Sequence, residues 1–199
     1  HSVKNQSLYP FIIFHESDLE PSLRRYILSC TLKRHTQLKI SFATADFSTS
    51  VRPENGSRSD KPIGYRLMCR FWTYDIYYHP TIIQGGYEYL MRMDADSYFS
   101  DTTRRDLFVY AKERKLDYIY RDVYREPMTP MQPVLRHFLH DVSDVSTCIY
   151  NNFFIMRLNW FYESKRVQTF VNELIRDDLI IREYIGDGCA HAAMLKIDE

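Results

Sequence analysis

The sequence predicts an α/β fold, a mostly parallel sheet flanked by helices, and three observations carry that prediction. Short apolar or alternating runs such as Phe11-Ile12-Ile13-Phe14 and Tyr87 to Met93 read as strands. They take turns with segments whose apolar residues recur at helical spacing, as in Val167, Phe170, Val171, Leu174 and Ile175. Strands alternating with helices bring a parallel sheet, and 199 residues suit one such domain over 1–199 while being short for two.

Taken in order, Tyr9-Pro10 leads into the Phe11 to Phe14 strand. Ser17 and Glu20 then form a capping box for a helix with Leu19, Leu23, Tyr26, Ile27 and Cys30 on one face. A strand follows from Leu38 to Ala43, and the polar stretch Ser48 to Lys61, with Pro53 and Gly56, reads as a surface loop. Tyr65, Met68, Cys69, Trp72 and Ile76 repeat as a helix that stops before His79-Pro80. The alternating Tyr87 to Met93 strand closes in the turn Asp94-Ala95-Asp96, with a helix next near Arg104 to Lys115. Leu116 to Arg121 and Cys148 to Met156 read as strands, and the proline-interrupted region Glu126 to His140 between them holds one short helix. The helix through Val167 to Ile175 is last before Gly186-Asp187-Gly188-Cys189-Ala190-His191.

Lys+Arg and Asp+Glu are equal at 26 each, and no basic stripe interrupts that balance, which argues against a nucleic-acid partner. The 16 tyrosines and 12 phenylalanines mostly belong to the core and otherwise form amphipathic surfaces able to stack on sugars or bases. No run approaches the ~18 apolar residues of a membrane span, so an anchor is expected outside this sequence. Cys30, Cys69, Cys148 and Cys189 are too widely spaced for a zinc ribbon and read as buried thiols or as one or two bridges, with three pairings open. Asn-x-Ser sequons at Asn5 and Asn55 suit a secretory-pathway protein.

Two constellations carry chemistry. Asp94 and Asp96, spaced i, i+2 where a strand ends, can hold Mg²⁺ or Mn²⁺ beside a diphosphate, because carboxylates are hard oxygen ligands and ligands of open α/β sheets gather at strand ends. Asp187 and His191, spaced i, i+4, share one face of a helix beginning near Gly186, and imidazole with carboxylate suits Mn²⁺ better than Mg²⁺. The plain alternative for that pair is a helix-capping Asp and an incidental surface His.

Read together, these residues resemble glycosyltransferase family 15, the fungal α-1,2-mannosyltransferases of the Golgi. Gly64-Tyr65-Arg66-Leu67-Met68-Cys69-Arg70-Phe71 is similar to the family's Y-R-x-M-C-R-F segment, followed by His79-Pro80. Tyr87-Glu88 through Arg92-Met93-Asp94-Ala95-Asp96 resembles Y-E-x-x-W-R-x-E-P-D, with Asp101 in place of a later Asp. Glu183 to His191 is similar to E-R-W-G-D-A-P-V-H, and Tyr9-Pro10 with its strand to the family's Y-P strand. The resemblance implies a GT-A-like nucleotide-sugar-binding domain, GDP-mannose as donor, Mn²⁺ as cofactor, and retaining transfer of mannose to a glycan or glycoprotein acceptor. It implies Asp94, Asp96 and His191 as metal ligands, and Tyr65, Arg70 and Asp187 as donor-binding residues. The enzymes of the family are Golgi lumenal, as type II membrane proteins.

The chain departs from the pattern in three places. Phe154, in Asn151-Asn152-Phe153-Phe154-Ile155, stands where the family has the Glu proposed as nucleophile, and a phenyl ring cannot attack a sugar carbon. Met91 and Tyr184-Ile185 replace family tryptophan-containing positions. The first nucleotide-binding strand should precede Tyr9, where too few residues stand to supply it, so the sequence reads as a partial domain. Phe154 motivates a second expectation, a degenerate transferase fold that binds without turnover. A metal-dependent phosphohydrolase is a third, and it lacks a second Asp/His cluster for a two-metal site.

Overall fold

The computed structural model describes residues 9–33, 36–58, 60–100, 105–142 and 146–199. Asn5, Asp101 and Arg104 lie outside the described residues. Contacts divide the chain into two compact units, His1–Thr49 and Ser50–Glu199, and each is described by itself.

The first unit is a βαβ arrangement: β1 (Phe11–His15), α1 (Pro21–Leu32) and β2 (Ile40–Thr44), with the strands parallel and Phe11 opposite Ile40. The expected capping box does not form. Helix α1 starts at Pro21 with Glu20 as N-cap and no side-chain cap bond, because proline fixes the first helical turn and drives the preceding residue to extended backbone. Nor does α1 bury its expected apolar face, for none of its residues is buried and Leu23 and Cys30 are exposed.

The second unit opens with α2 (Ile63–Arg70), which runs through a π-helical turn (Phe71–Asp75) into α3 (Ile76–Tyr78). His79 breaks it and starts α4 (Pro80–Gly85), its Nδ1 accepting the Thr81 N–H at 3.2 Å. Gly86, at φ 59°, ends that helix in the left-handed region glycine tolerates. After β3 (Tyr89–Met93), the Asp106 carboxylate caps α5 (Leu107–Arg114) by accepting the N–H groups of Phe108 and Val109. β4 (Tyr118–Tyr120), β5 (Val123–Arg125), a 3₁₀ turn (Thr129–Met131), α6 (Gln132–Leu135), β6 (Thr147–Ile149) and β7 (Phe153–Arg157) follow. The chain then forms α7 (Leu158–Glu163), α8 (Lys165–Arg176), a second π-helical turn (Ile180–Tyr184) and α9 (Asp187–Asp198).

The class is α/β, as expected, but the strand directions differ from a mostly parallel sheet. β7 lies between β3 and β4 and is antiparallel to both, and β5 pairs antiparallel with β6. The single strand expected over Cys148 to Met156 is two strands, since a turn at Asn151-Asn152 interrupts the pairing between them. β7 is central, and Phe154, Ile155 and Met156 are at most 1% exposed. Helix α8 packs the expected stripe, with Val167, Phe170, Val171 and Leu174 all buried, and burying each such side chain contributes about 1.5–3 kcal/mol.

Cys148 in β6 and Cys189 in α9 are joined by a disulfide, which fixes the start of α9 against that strand. Closing a loop with a sequence separation of 41 restricts the unfolded chain, worth about 4 kcal/mol in the chain-entropy account. Cys30 and Cys69 are free thiols. Among the described residues, no helix is long and apolar enough to cross a membrane.

Candidate functional site

The second unit brings the turn after β3 and the first turn of α9 to the same guanidinium. Arg92, 4% exposed on β3, donates from Nε to Asp94 Oδ1 at 2.8 Å and from Nη1 to Asp187 Oδ2 at 2.5 Å. Its guanidinium carbon lies 4.3 Å from the Trp72 ring centroid, and Nη2 approaches Met68 Sδ at 3.8 Å. A buried cation is tolerated only when paired and hydrogen-bonded, and Arg92 meets that condition with two carboxylates and a π face. The turn itself is pinned by the Asp94 N–H donating to Asn152 O at 3.0 Å.

The approach to α9 is conformationally unusual. The π-helical turn Ile180–Tyr184 ends in Tyr184 at φ 65°, a left-handed backbone that costs a non-glycine residue energy, and the chain then extends through Ile185 to the N-cap Gly186. Arg66, 1% exposed, anchors this stretch by donating to the carbonyls of Ile181 and Lys61, each at 2.8 Å. Gly188 is required by close approach: a Cβ there would lie 2.2 Å from Ile149 O. The N-cap Gly186 has no side chain to cap α9 and the Asp187 N–H turns to the Cys69 sulfur, while the helix dipole gives this end positive character.

His191 begins one turn further and is wholly buried. Its Nε2 lies 3.0 Å from Trp72 O and its Nδ1 2.7 Å from Tyr118 Oη. A carbonyl can only accept, so the network assigns the proton to Nε2, and Tyr118 donates to Nδ1. Tyr77 Oη is 3.3 Å from Nε2. Burial pushes the His191 pKa down to about 4, partly opposed by the Asp187 charge, so the ring is neutral near neutrality. Both nitrogens are occupied by protein partners, and the ring as folded offers no lone pair to a metal.

The residues picked out from sequence are thus distributed as follows. Asp94 and Asp187 meet on Arg92, while Asp96 is exposed on the turn. His191 is a core residue engaged on both sides, unlike the ligand role the resemblance implies and unlike an incidental surface histidine. Among the described residues, no group of three His, Cys, Asp or Glu side chains is placed to hold a metal ion. A divalent ion at this edge would draw on Asp94, of which Arg92 takes only Oδ1, and on Asp96. Tyr65, 40% exposed, lies 6.1 Å from the Tyr184 ring and 4.9 Å from Lys61 Nζ. Arg70 directs its guanidinium to Asp75 and Asp178, each at 3.4 Å. Phe154 is fully buried, stacked on Tyr118 at 5.3 Å and edge-on to Trp72 and His191. Sequence reasoning missed Arg92 and Arg66 as buried guanidinium anchors. The only signal for Arg92 was its place two residues before Asp94 on the alternating strand, which puts both side chains on one face.

In sequence, the chain matches no protein-family profile and no curated protein. In structure it has the fold of glycosyltransferases. Core-mannan synthase A (CmsA/Ktr4) from Aspergillus fumigatus, in its Mn/GDP form, superposes with a TM-score of 0.74 at 17% identity, over 94% of this chain and 60% of that one. The mannosyltransferase Ktr4p from S. cerevisiae in complex with GDP superposes with a TM-score of 0.75 at 14% identity, over 94% and 58%. The Ktr4p structure described without GDP gives 0.72 at 15% identity, over 94% and 57%. This chain therefore spans somewhat under two thirds of the length of these enzymes.

Proposed function

We propose that the chain is a glycosyltransferase that binds GDP-mannose where β3 ends and α9 begins, and transfers mannose to a glycan or glycoprotein acceptor. The observation that carries this reading is the Asp94–Arg92–Asp187 bridge at the uncapped start of α9, in a fold shared with a mannosyltransferase solved with GDP. Backbone N–H groups at a helix start favour phosphate oxygens. Tyr65 is exposed enough to stack on a base.

Charge counting bears on the cofactor. Asp94 and Asp187 carry two negative charges against the single positive charge of Arg92, so a diphosphate arriving here needs a further cation to offset repulsion. Asp94 and Asp96 would hold Mn²⁺, which supplies positive charge to the leaving diphosphate as the glycosidic bond breaks. Arg92 orients Asp94 by holding one carboxylate oxygen. Phe154 has no carboxylate to give, and its burial keeps it from the reacting sugar, so a covalent intermediate on this residue is no part of the reading. The Cys148–Cys189 bridge and the exposed Asn55 sequon support a secretory-pathway lumen, the Golgi, as the compartment.

Phe154 also favours a second reading, a fold that retains donor binding without turnover. Calorimetry with GDP, and a transfer assay with GDP-mannose and a mannoside acceptor, each with and without Mn²⁺, separate the two. Binding with transfer supports the transferase, and binding without transfer supports the second reading. Absence of GDP binding under both conditions removes the donor site altogether.

A further inference from the structure

The loop that leads into α2 carries Asn55-Gly56-Ser57, a sequon that the donor edge does not use. Asn55 and Gly56 form an exposed turn, and Gly56 takes φ 88°, a left-handed backbone open to glycine without strain. A Cβ built on Gly56 would meet nothing within 4 Å, so the turn faces open space. Its base is nevertheless fastened to the second unit. The Glu54 N–H donates to Arg182 O at 2.7 Å, Arg182 Nε donates to Glu54 Oε1 at 2.6 Å, and the Ser57 N–H closes the turn on Glu54 O at 3.1 Å.

The two ends of the sequon have different surroundings. Asn55 is exposed, whereas Ser57 is half-buried and its Oγ accepts a hydrogen bond from Arg66 Nη2 at 3.2 Å. That nitrogen also donates to Arg58 O at 2.5 Å, while Nη1 of the same buried guanidinium reaches Ile181 O. A buried cation holds on to its acceptors, because a lost one leaves charge unsatisfied. Folding thus commits the Ser57 hydroxyl to Arg66.

An Asn-x-Ser acceptor is read through its hydroxyl together with its amide. We propose that Asn55 is an N-glycan acceptor, modified before its turn closes, and that the fold then carries the glycan on the open side of this turn. Its use in the cell rests on the secretory-pathway reading above; the acceptor chemistry does not. The donor class is an oligosaccharide on a polyprenyl diphosphate. Asn55 Nδ2 bonds to the anomeric carbon, the bond from that carbon to the phosphate oxygen breaks, and the diphosphate leaves with the electron pair. A base of the transferring enzyme takes the proton from Nδ2. A bulky hydrophilic chain suits an exposed turn and costs the core nothing.

The test expresses the full chain behind a cleavable secretory signal, with Asn5→Gln removing the other sequon. Gel mobility and peptide mass are read before and after an endoglycosidase that leaves one N-acetylhexosamine on the asparagine, which tells a glycan from the aspartate left by deamidation of Asn-Gly. The expected result is a mobility shift that the endoglycosidase removes, retained in Ser57→Thr and lost in Ser57→Ala and Asn55→Gln. Ser57→Ala also takes an acceptor from Arg66, whereas Asn55→Gln leaves those bonds in place, so the second variant reads the site without disturbing the anchor. Timing is read separately: folded chain made without the glycan, given the same donor and detergent-solubilised transferase, should gain none. Modification of that folded chain as complete as that of the nascent one overturns the order of events. An unmodified Asn55 in the secreted chain overturns the acceptor site, and because the added signal supplies the compartment, it leaves the compartment reading standing. A modified Asn55 in this assay, beside native protein found outside the secretory pathway, overturns that reading and keeps the acceptor site.

Discussion

Arg92 and Asp187, 95 residues apart in sequence, meet at 2.5 Å in the interior, and the same guanidinium holds Asp94 at 2.8 Å. The side chains of Arg92 and Asp187 are 4% and 6% exposed, whereas that of Asp94 is 34% exposed. Breaking such a pair on one side leaves a buried charge unpaired and costs about 3–5 kcal/mol, while replacing both partners by apolar groups can be near neutral. Urea unfolding should therefore find Arg92→Met destabilised by about 3 kcal/mol, with the Arg92→Met/Asp187→Leu double variant more stable than the sum of the single losses predicts. Additivity within about 0.5 kcal/mol would show that the two do not act as a pair.

The neutral His191 gives the fold a dependence on mild acid. Its pKa falls from the ordinary 6.5 to about 4 on folding, through burial, so between those values the unfolded chain binds the proton and the folded chain does not. Stability must then drop as pH falls through that window, by about 3 kcal/mol in all, and this contribution levels off below about pH 4. His191→Gln should be less stable at pH 7 but show a shallower decline from pH 6.5 to 4. Parallel pH profiles for the two proteins would remove His191 as the source.

Several of these relationships were open to sequence reasoning and others were not, for identifiable reasons. The start of α9 was legible because glycine followed by Asp is a helix-entry signal and the i, i+4 spacing fixes a face. The bridge to Arg92 was not, because an arginine in an alternating strand reads equally well as a solvent-facing residue. Strand order and direction were also hidden, since period-two alternation marks a strand without saying which way its neighbours run. The interruption at Asn151-Asn152 did leave a signal, two turn-forming asparagines inside an apolar run, which the reading of one strand passed over. The bridge between Cys148 and Cys189 belongs to one of the three full pairings of four cysteines and needed the packing of α9 on β6 to decide it.

Phe154 offers a direct test of what its position does. Its ring is 0% exposed and stacked on Tyr118, so Phe154→Glu must bury a carboxyl group opposite Arg92, whose guanidinium is already held by Asp94 and Asp187, besides losing the aromatic contacts. Taken on the resemblance alone, a carboxylate at this position would serve the transfer. The packing instead predicts that Phe154→Glu unfolds at lower urea than Phe154→Leu, by at least about 2 kcal/mol, with no gain in transfer. A stable Phe154→Glu protein with increased mannose transfer would show that the site accepts a carboxylate here.

Asp94 separates donor binding from folding. Its side chain is 34% exposed and takes one of the two carboxylate bonds of Arg92, so Asp94→Ala leaves the Arg92–Asp187 pair in place and should cost only about 1 kcal/mol. A ligand that binds only the folded chain stabilises it by about 2.7 kcal/mol at a hundred times its dissociation constant, a rise of roughly 5–10 °C in the midpoint for a chain of this size. Wild type should show that rise with Mn²⁺ and GDP together and little with GDP alone, given the excess of carboxylate charge at the edge. Asp94→Ala should melt near the unliganded wild type under every condition and transfer no mannose. An equal rise in the variant would take Asp94 out of the metal set. A wild type that shows neither the rise nor transfer would remove GDP-mannose as the donor.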